Sequence, residues 1–219
     1  MEKNQSAPGE TVTVTRRFSQ AQAEKRAEAR RAAAQLATEG GYEAVTMTAV
    51  ADRIGVSRAT IYRYFTSKDH LLVEVMKEWT VRINAQLRRN PPAGDELAAR
   101  VGAAFERIIE TAARNRGLTS AMLFAATSSD PAATEAFPSW SAPVEIYLKT
   151  LAGEEHVEHL EDVIAVLSHV LFSALIAIAL RRQPPAEAAR VLWTTARLLL
   201  GSVDVAQVGG RHVRSPAEC

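Results

Sequence analysis

The sequence predicts an all-α fold of about nine helices, and three observations lead there. Apolar residues recur at helical spacing through most of the chain, as in Leu72, Met76, Trp79, Ile83 and Leu87. Strand-period alternation is confined to Thr11 to Thr15, too short and too close to the terminus to build a sheet. Glycine, proline and small polar residues stand between the periodic stretches, at the places where helices stop and start. A chain of 219 residues at 47% hydrophobic composition can bury a core in one or two domains.

Taken in order, residues 1–17 are Thr- and Ser-rich and are expected to form a mobile tail ending in Arg16 and Arg17. Ser19 to Glu39 is a basic, Ala-rich helix with Ala29, Ala32, Ala33 and Leu36 turned inward, and Gly40 and Gly41 end it. After two short helices, described next, Ser67 to about Arg89 carries one long apolar stripe. This helix is long enough to join two domains, and Pro91, Pro92 and Gly94 break it off. Five helices are expected beyond: one capped by Asp95 and running to about Asn115, Arg116 to Thr127, Pro131 to Leu151 with kinks at Pro138 and Pro143, about Glu155 to Arg182, and Ala186 to Leu200 with Gly201 as its stop. The resulting organisation is a first domain at 18–66, a second at 67–204 with 67–90 connecting them, and a disordered tail at 205–219.

The most informative stretch is TMTAVADRIGVSRATIYRYFTSKDHLL, residues 46–72. Val50, Ala51 and Ile54 share one apolar face, and Gly55 supplies the left-handed conformation that stops a helix. Ser57 is an N-cap, and a second helix follows from Arg58 to Phe65 with Ile61 and Phe65 inward. Arg58, Thr60, Tyr62, Arg63 and Tyr64 are left for other work. A short helix with so much polar and aromatic surface around two anchors suits a DNA major groove about 12 Å wide. A helical hairpin that merely packs is the plainer alternative, but it does not explain two serine caps and a glycine turn in this order.

Charge supports that reading. Residues 1–90 hold 15 Lys/Arg against 10 Asp/Glu, whereas residues 91–219 hold 11 against 15, so a basic head sits on an acidic body. The single cysteine, Cys219, excludes an internal disulfide and fits a reducing cytoplasm. The opening residues lack the apolar centre of a signal peptide. Val163 to Leu180 is an uncharged run of membrane-spanning length, yet Ser168, His169 and Ser173 interrupt it. A buried helix of a core or dimer interface is therefore preferred, and no membrane partner is expected.

Residues 20–75, with GVSRATIYRYFTSKDHLL as the signature stretch, resemble the TetR family of bacterial transcriptional regulators. GGYEAV, YRYFTSKDHLL and ARLLLGS are further similar to actinobacterial repressors of sterol catabolism of the KstR type. The resemblance implies a homodimeric, ligand-controlled repressor on a near-palindromic operator in double-stranded DNA, with no cofactor. It places Arg58 and Thr60 at base-facing positions, Ser57 at the cap before them, and Tyr62 and Tyr64 at phosphate or thymine methyl. Lys68 falls on phosphate, and Thr46 and Thr48 lie at an anion-favouring helix start. Arg16 and Arg17 are candidates for a minor groove, against the simpler reading of a solvated tail.

The implied effector site is a cavity for a bulky apolar molecule, a steroid or an acyl-CoA thioester. Its candidate lining is Met76, Trp79, Ile83, Phe105, Met122, Phe124, Trp140, Tyr147, His169 and Phe172, with ordinary core as the alternative for each. Arg114 and Arg116 are candidates for the charged end of a CoA ligand. The dimer surface is expected on the last two helices, through Leu171, Leu175, Ile178, Trp193 and Leu198.

Other chemistry is weakly supported. Glu155, His156, Glu158, His159 and Asp162 have a metal-like spacing on a helix, but acidic residues are ordinary at a helix start, and no metal is expected. An enzyme or carrier using the same cavity is the rival reading. No nucleophile, base and orienting group stand at motif spacing, and a carrier leaves the first 75 residues without a purpose.

Overall fold

A computed structural model of the chain describes residues 19–137 and 142–201, and among these residues there are ten helices and no strand. The expected tails, Arg16, Arg17, Trp140 and Cys219 lie outside the described residues. The helix Gln20–Ala44 (α1) opens on a capping box in which Ser19 and Gln22 satisfy each other's backbone N–H groups. Gly40 and Gly41 leave helical geometry, Gly41 at φ 70°, so the regular helix ends there and one more turn carries Tyr42. Met47–Arg53 (α2) is capped by Thr46, Gly55 turns the chain at φ 66°, and Arg58–Tyr62 (α3) is capped by Ser57. Ser67 accepts the His70 N–H and starts Lys68–Arg89 (α4).

The helix α3 is shorter than expected, ending at Tyr62. Residues 63–65 curl out of the helical period, and both Tyr64 and Phe65 are buried. The face assigned to Tyr64 by counting every 3.6 residues is thus the wrong one.

The remainder is Leu97–Arg114 (α5), Arg116–Ala126 (α6), Pro131–Ala136 (α7), Ala142–Ala152 (α8), Leu160–Ala179 (α9) and Pro185–Leu200 (α10). Three expectations are corrected here. Pro131 to Leu151 is two helices, because Phe137 precedes a proline, is pushed out of the helical region and caps α7 at φ −133°. The cap of α5 is Glu96, with no side-chain bond, and Asp95 stands one residue outside it. The helix α9 starts at Leu160 and not near Glu155, since His159 takes a left-handed φ of 51° and the preceding residues form a turn.

Two apolar clusters organise the packing. The first joins α1, α2, α3 and the front of α4 to Leu118, Met122 and Ala125 of α6 and Ala133 of α7. The second joins Ile83 and Leu87 at the rear of α4 to α5, α8, α9 and α10. Trp79 of α4 touches both, so α4 is the common wall between the head and the body. Fully burying a Leu or Phe side chain stabilises by roughly 1.5–3 kcal/mol, which makes α4 costly to displace as a unit. The apolar α9 is a bundle helix: Val163, Leu167, Leu171 and Ile178 are buried within the second cluster.

Candidate DNA interface and effector cavity

The head presents α3 and the start of α4 to solvent. Arg58 is exposed, lies 5.3 Å from the Tyr62 ring centroid and donates to the Tyr62 hydroxyl at 3.1 Å. Tyr62 itself is 42% exposed, with the Arg58 guanidinium over its ring. Thr60 is half-buried, and its hydroxyl meets that of Ser57 at 2.9 Å while its N–H bonds Ser57 Oγ at 3.1 Å. Thr46 and Thr48 are exposed at the start of α2, and Thr46 accepts the Ala49 N–H. Seven of the eight expected positions therefore have surface, and Tyr64 does not.

Lys68 is the better-positioned cation. Its ammonium stands 3.6 Å above the Tyr42 ring and 3.9 Å from Glu43. The Tyr42 hydroxyl donates to Asp69 Oδ1 at 2.6 Å, and Asp69 Oδ2 accepts from Ser128 at 2.7 Å. Burial, and then the Asp69 carboxylate, push the Tyr42 phenol well above its ordinary range, so it remains a donor. No local pattern signals this cluster, since Ser128 lies 59 residues from Asp69.

In the body, Met76, Trp79, Tyr147 and Phe172 surround an apolar cavity of about 70 Å³ together with Thr80, Ile108, Leu123, Phe137, Pro143, Val144, Ser168, Leu171 and Leu175. The Tyr147 hydroxyl donates to the Thr80 carbonyl at 3.3 Å, and burial raises its pKa well above the usual phenol range. Ser168 spends its proton on the Ile164 carbonyl. Ser168 was legible as the polar residue interrupting an apolar run, while Leu123 and Val144 carried no signal beyond hydrophobicity.

Other expected lining residues sit elsewhere. Ile83 and Phe105 fill the second cluster, and Met122 fills the first. His169 is exposed, its ring bonded to the Ala165 carbonyl. Phe124 is 53% exposed and borders a second apolar hollow of about 110 Å³ with Ser120, Leu123, Thr127, Ile176, Ala179 and Leu180. Arg114 and Arg116 flank the α5–α6 junction, where Asn115 bonds Thr38, and neither lines the cavity. Leu171 and Ile178, expected at a dimer surface, are buried in the chain's own core, and Leu175 faces the cavity. Trp193 lies against Gly102 of α5 and donates to Glu106 at 3.2 Å. Of that set Leu198 alone is strongly exposed, at 73%. The Glu155 turn is held by Arg100, and no group of three His, Cys, Asp or Glu among the described residues is placed to hold a metal.

A capped three-helix head on an all-helical body with an internal apolar cavity defines a one-component regulator, and the chain belongs to the TetR family of bacterial regulatory proteins. The family model described as "Bacterial regulatory proteins, tetR family" matches residues 30–75, and "Tetracyclin repressor-like, C-terminal domain" matches residues 94–199. The chain is 34% identical over 189 residues to the HTH-type transcriptional repressor KstR of Mycobacterium tuberculosis, covering 86% of each. A TetR transcriptional regulator from Rhodococcus sp. RHA1 superposes with a TM-score of 0.75 at 25% identity, over 84% of this chain and all of that one. Thermus thermophilus FadR, a TetR-family repressor solved with lauroyl-CoA, superposes at 0.63 and 26% identity, over 88% of this chain and all of that one. The chain is a transcriptional regulator and not an enzyme.

Proposed function

We propose that the chain is a cytoplasmic repressor that binds a near-palindromic operator as a dimer and is released by an apolar effector. One observation carries this: α4 contributes Lys68 to the exposed DNA-side surface at one end and Met76, Trp79 and Thr80 to the cavity wall further along. A ligand that moves α4 therefore moves the head. Two recognition helices must meet half-sites about 34–36 Å apart, so a shift of a few ångströms spoils simultaneous contact. In this reading residues 18–66 serve DNA, and residues 67–204 serve effector and partner.

The DNA contacts are Arg58 and Thr60 toward base edges, with Ser57 holding the helix start. Tyr62, Lys68, Thr46 and Thr48 lie toward the backbone. The effector is an apolar molecule, either a steroid, as the likeness of GGYEAV, YRYFTSKDHLL and ARLLLGS to sterol-catabolism repressors implies, or an acyl-CoA thioester, the class that FadR binds as lauroyl-CoA. The partner surface is the outer face of α10, where exposed Val191 and Leu198 stand seven residues apart, together with exposed Val166 of α9.

Mobility-shift assays with DNA from upstream of the chain's own reading frame test the first half. A specific shift competed by that DNA but not by unrelated duplex is the expected result, and equal competition by both refutes operator recognition. Mass spectrometry of small molecules retained by the purified protein tests the second half. An acyl-CoA or steroid that also releases the DNA is expected, and a ligand that binds without changing DNA affinity overturns effector control.

A further inference from the structure

We propose that Tyr42 is a positioning residue that joins the effector cavity to the DNA-side lysine, through Leu123 and Phe124 on one side and Asp69 and Lys68 on the other. The proposal rests on the effector-controlled reading above and names the route by which control reaches DNA.

The route begins at Leu123, the residue that lines both apolar spaces, the cavity of about 70 Å³ and the surface hollow of about 110 Å³. Ligand pockets measure about 300–1,000 Å³, so neither space alone holds a bulky molecule. Leu123 has free volume on both sides, and its displacement merges the two spaces without breaking a polar contact. The wall that yields is therefore α6.

The next residue, Phe124, carries the connection toward α1. Its ring borders the surface hollow beside Leu123 and also lies 5.6 Å from that of Tyr42, tilted by 37°, across the gap between α6 and the last turn of α1. A second strand of the same connection is polar: Ser128, just past the end of α6, donates to Asp69 Oδ2 while Tyr42 donates to Asp69 Oδ1. Both strands end on the first turn of α4, beside Lys68, whose ammonium rests on the Tyr42 ring. Ser128 Oγ also accepts the Asp130 N–H, which ties the turn before α7 to the same point. Movement of α6 thus shifts the ring under Lys68 and the carboxylate beside it together. Glu43, 3.9 Å from Lys68, is exposed and stands ready to take the ammonium once it leaves the ring.

The test uses the full chain and the operator fragment, with affinity measured by fluorescence anisotropy across a salt series. Wild-type binding tests the regulator reading: no salt-dependent binding to any duplex ends that reading and this proposal with it. Given binding, Tyr42→Leu and Lys68→Ala are each expected to lower the salt slope by about one unit, with no further loss in the double variant. Tyr42→Phe keeps the ring and should keep the slope. A Tyr42→Leu slope equal to wild type overturns the positioning role.

Coupling is read without any ligand. Leu123→Trp wedges the wall from inside and is expected to weaken DNA binding about tenfold, within the span of ordinary allosteric couplings. In a Phe124→Ala, Ser128→Ala background, which cuts both links from α6 to Tyr42 and Asp69, the same wedge should cost at most twofold. Full additivity of wedge and background overturns the route. Leu123→Phe is the smaller wedge should the tryptophan variant melt early, and the same non-additivity is required of it.

Discussion

A methyl group added at Gly102 of α5 would sit 2.5 Å from Cδ2 and Cε3 of Trp193 on α10, so the two helices touch through a glycine and an indole face. Gly102→Ala removes a helix-interior glycine, worth about 1 kcal/mol in propensity, but forces the ring out of its seat at a cost of about 1–3 kcal/mol. The overpacking term is the larger. The variant should melt below wild type in circular dichroism, and Trp193→Phe in the same background should restore part of the loss. A Gly102→Ala protein more stable than wild type would show that α10 has room to slide.

Tyr62 holds the Arg58 guanidinium beside its ring and hydroxyl, and the base-edge contact proposed for Arg58 has a direct test. Arg58→Ala should relax preference at one base pair in each half-site, at a cost of about 1–3 kcal/mol if the contact is bidentate. Binding-site selection on randomised duplex separates the outcomes. An even loss of affinity across all sequences would assign Arg58 to the backbone.

Leu198 and Ile178 make a matched pair for the dimer surface. Leu198→Glu alters a side chain that is already 73% exposed, so the fold should keep its stability to within about 0.5 kcal/mol while the dimer dissociates. Ile178→Glu instead puts an unpaired carboxylate in the core of one chain, where it is expected to unfold the protein. Sedimentation velocity and thermal melting report the two effects separately. A Leu198→Glu dimer of wild-type strength would move the interface off this face of α10.

His70 gives the head a pH dependence. Its burial, with Arg26 and Lys77 nearby, holds its pKa below the ordinary 6.5, against the opposing pull of Glu74 and Asp130. The unfolded chain then binds more protons than the folded one between the two values. Stability is therefore full above pH 6.5 and declines as pH falls through the window beneath it. Glu74 is half-buried, which raises its pKa, but Lys77 and Arg26 hold it below its ordinary value, and its own loss comes at lower pH, beneath 4.5. His70 Nδ1 lies 3.3 Å from the Thr66 N–H and accepts it when neutral. Asn at this position keeps an acceptor without titrating, so His70→Asn should flatten the fall in Tm between pH about 7.5 and 5.5. An equal fall in both proteins would place the titration elsewhere.

The local syntax of the chain was legible because caps and turns are satisfied by near neighbours. Ser19, Thr46, Ser57 and Ser67 each accept an N–H three residues on, and Gly55 takes the positive φ that its turn requires. The helix-turn-helix stretch and the family follow from that syntax, and so does the all-α fold. Helix ends were less legible where a distant group decided them, as with Arg100 holding Glu155 in a turn before α9.

Which way an apolar side chain faces was decided by tertiary structure alone. Polar Asp162, His169 and Ser173 mark one exposed face of α9, but the rest is apolar, and no period in its sequence separates Leu171 and Ile178, buried in the chain's own core, from Leu175 at the cavity. Tyr64 left its predicted face because α3 stops two residues before it. Phe124 reaches Tyr42 across the junction of head and body, and Ser128 reaches Asp69 across 59 residues of chain. A sequence specifies helices through interactions a few residues long; the sites of this protein are made by contacts between helices, and those exist only once the helices have packed.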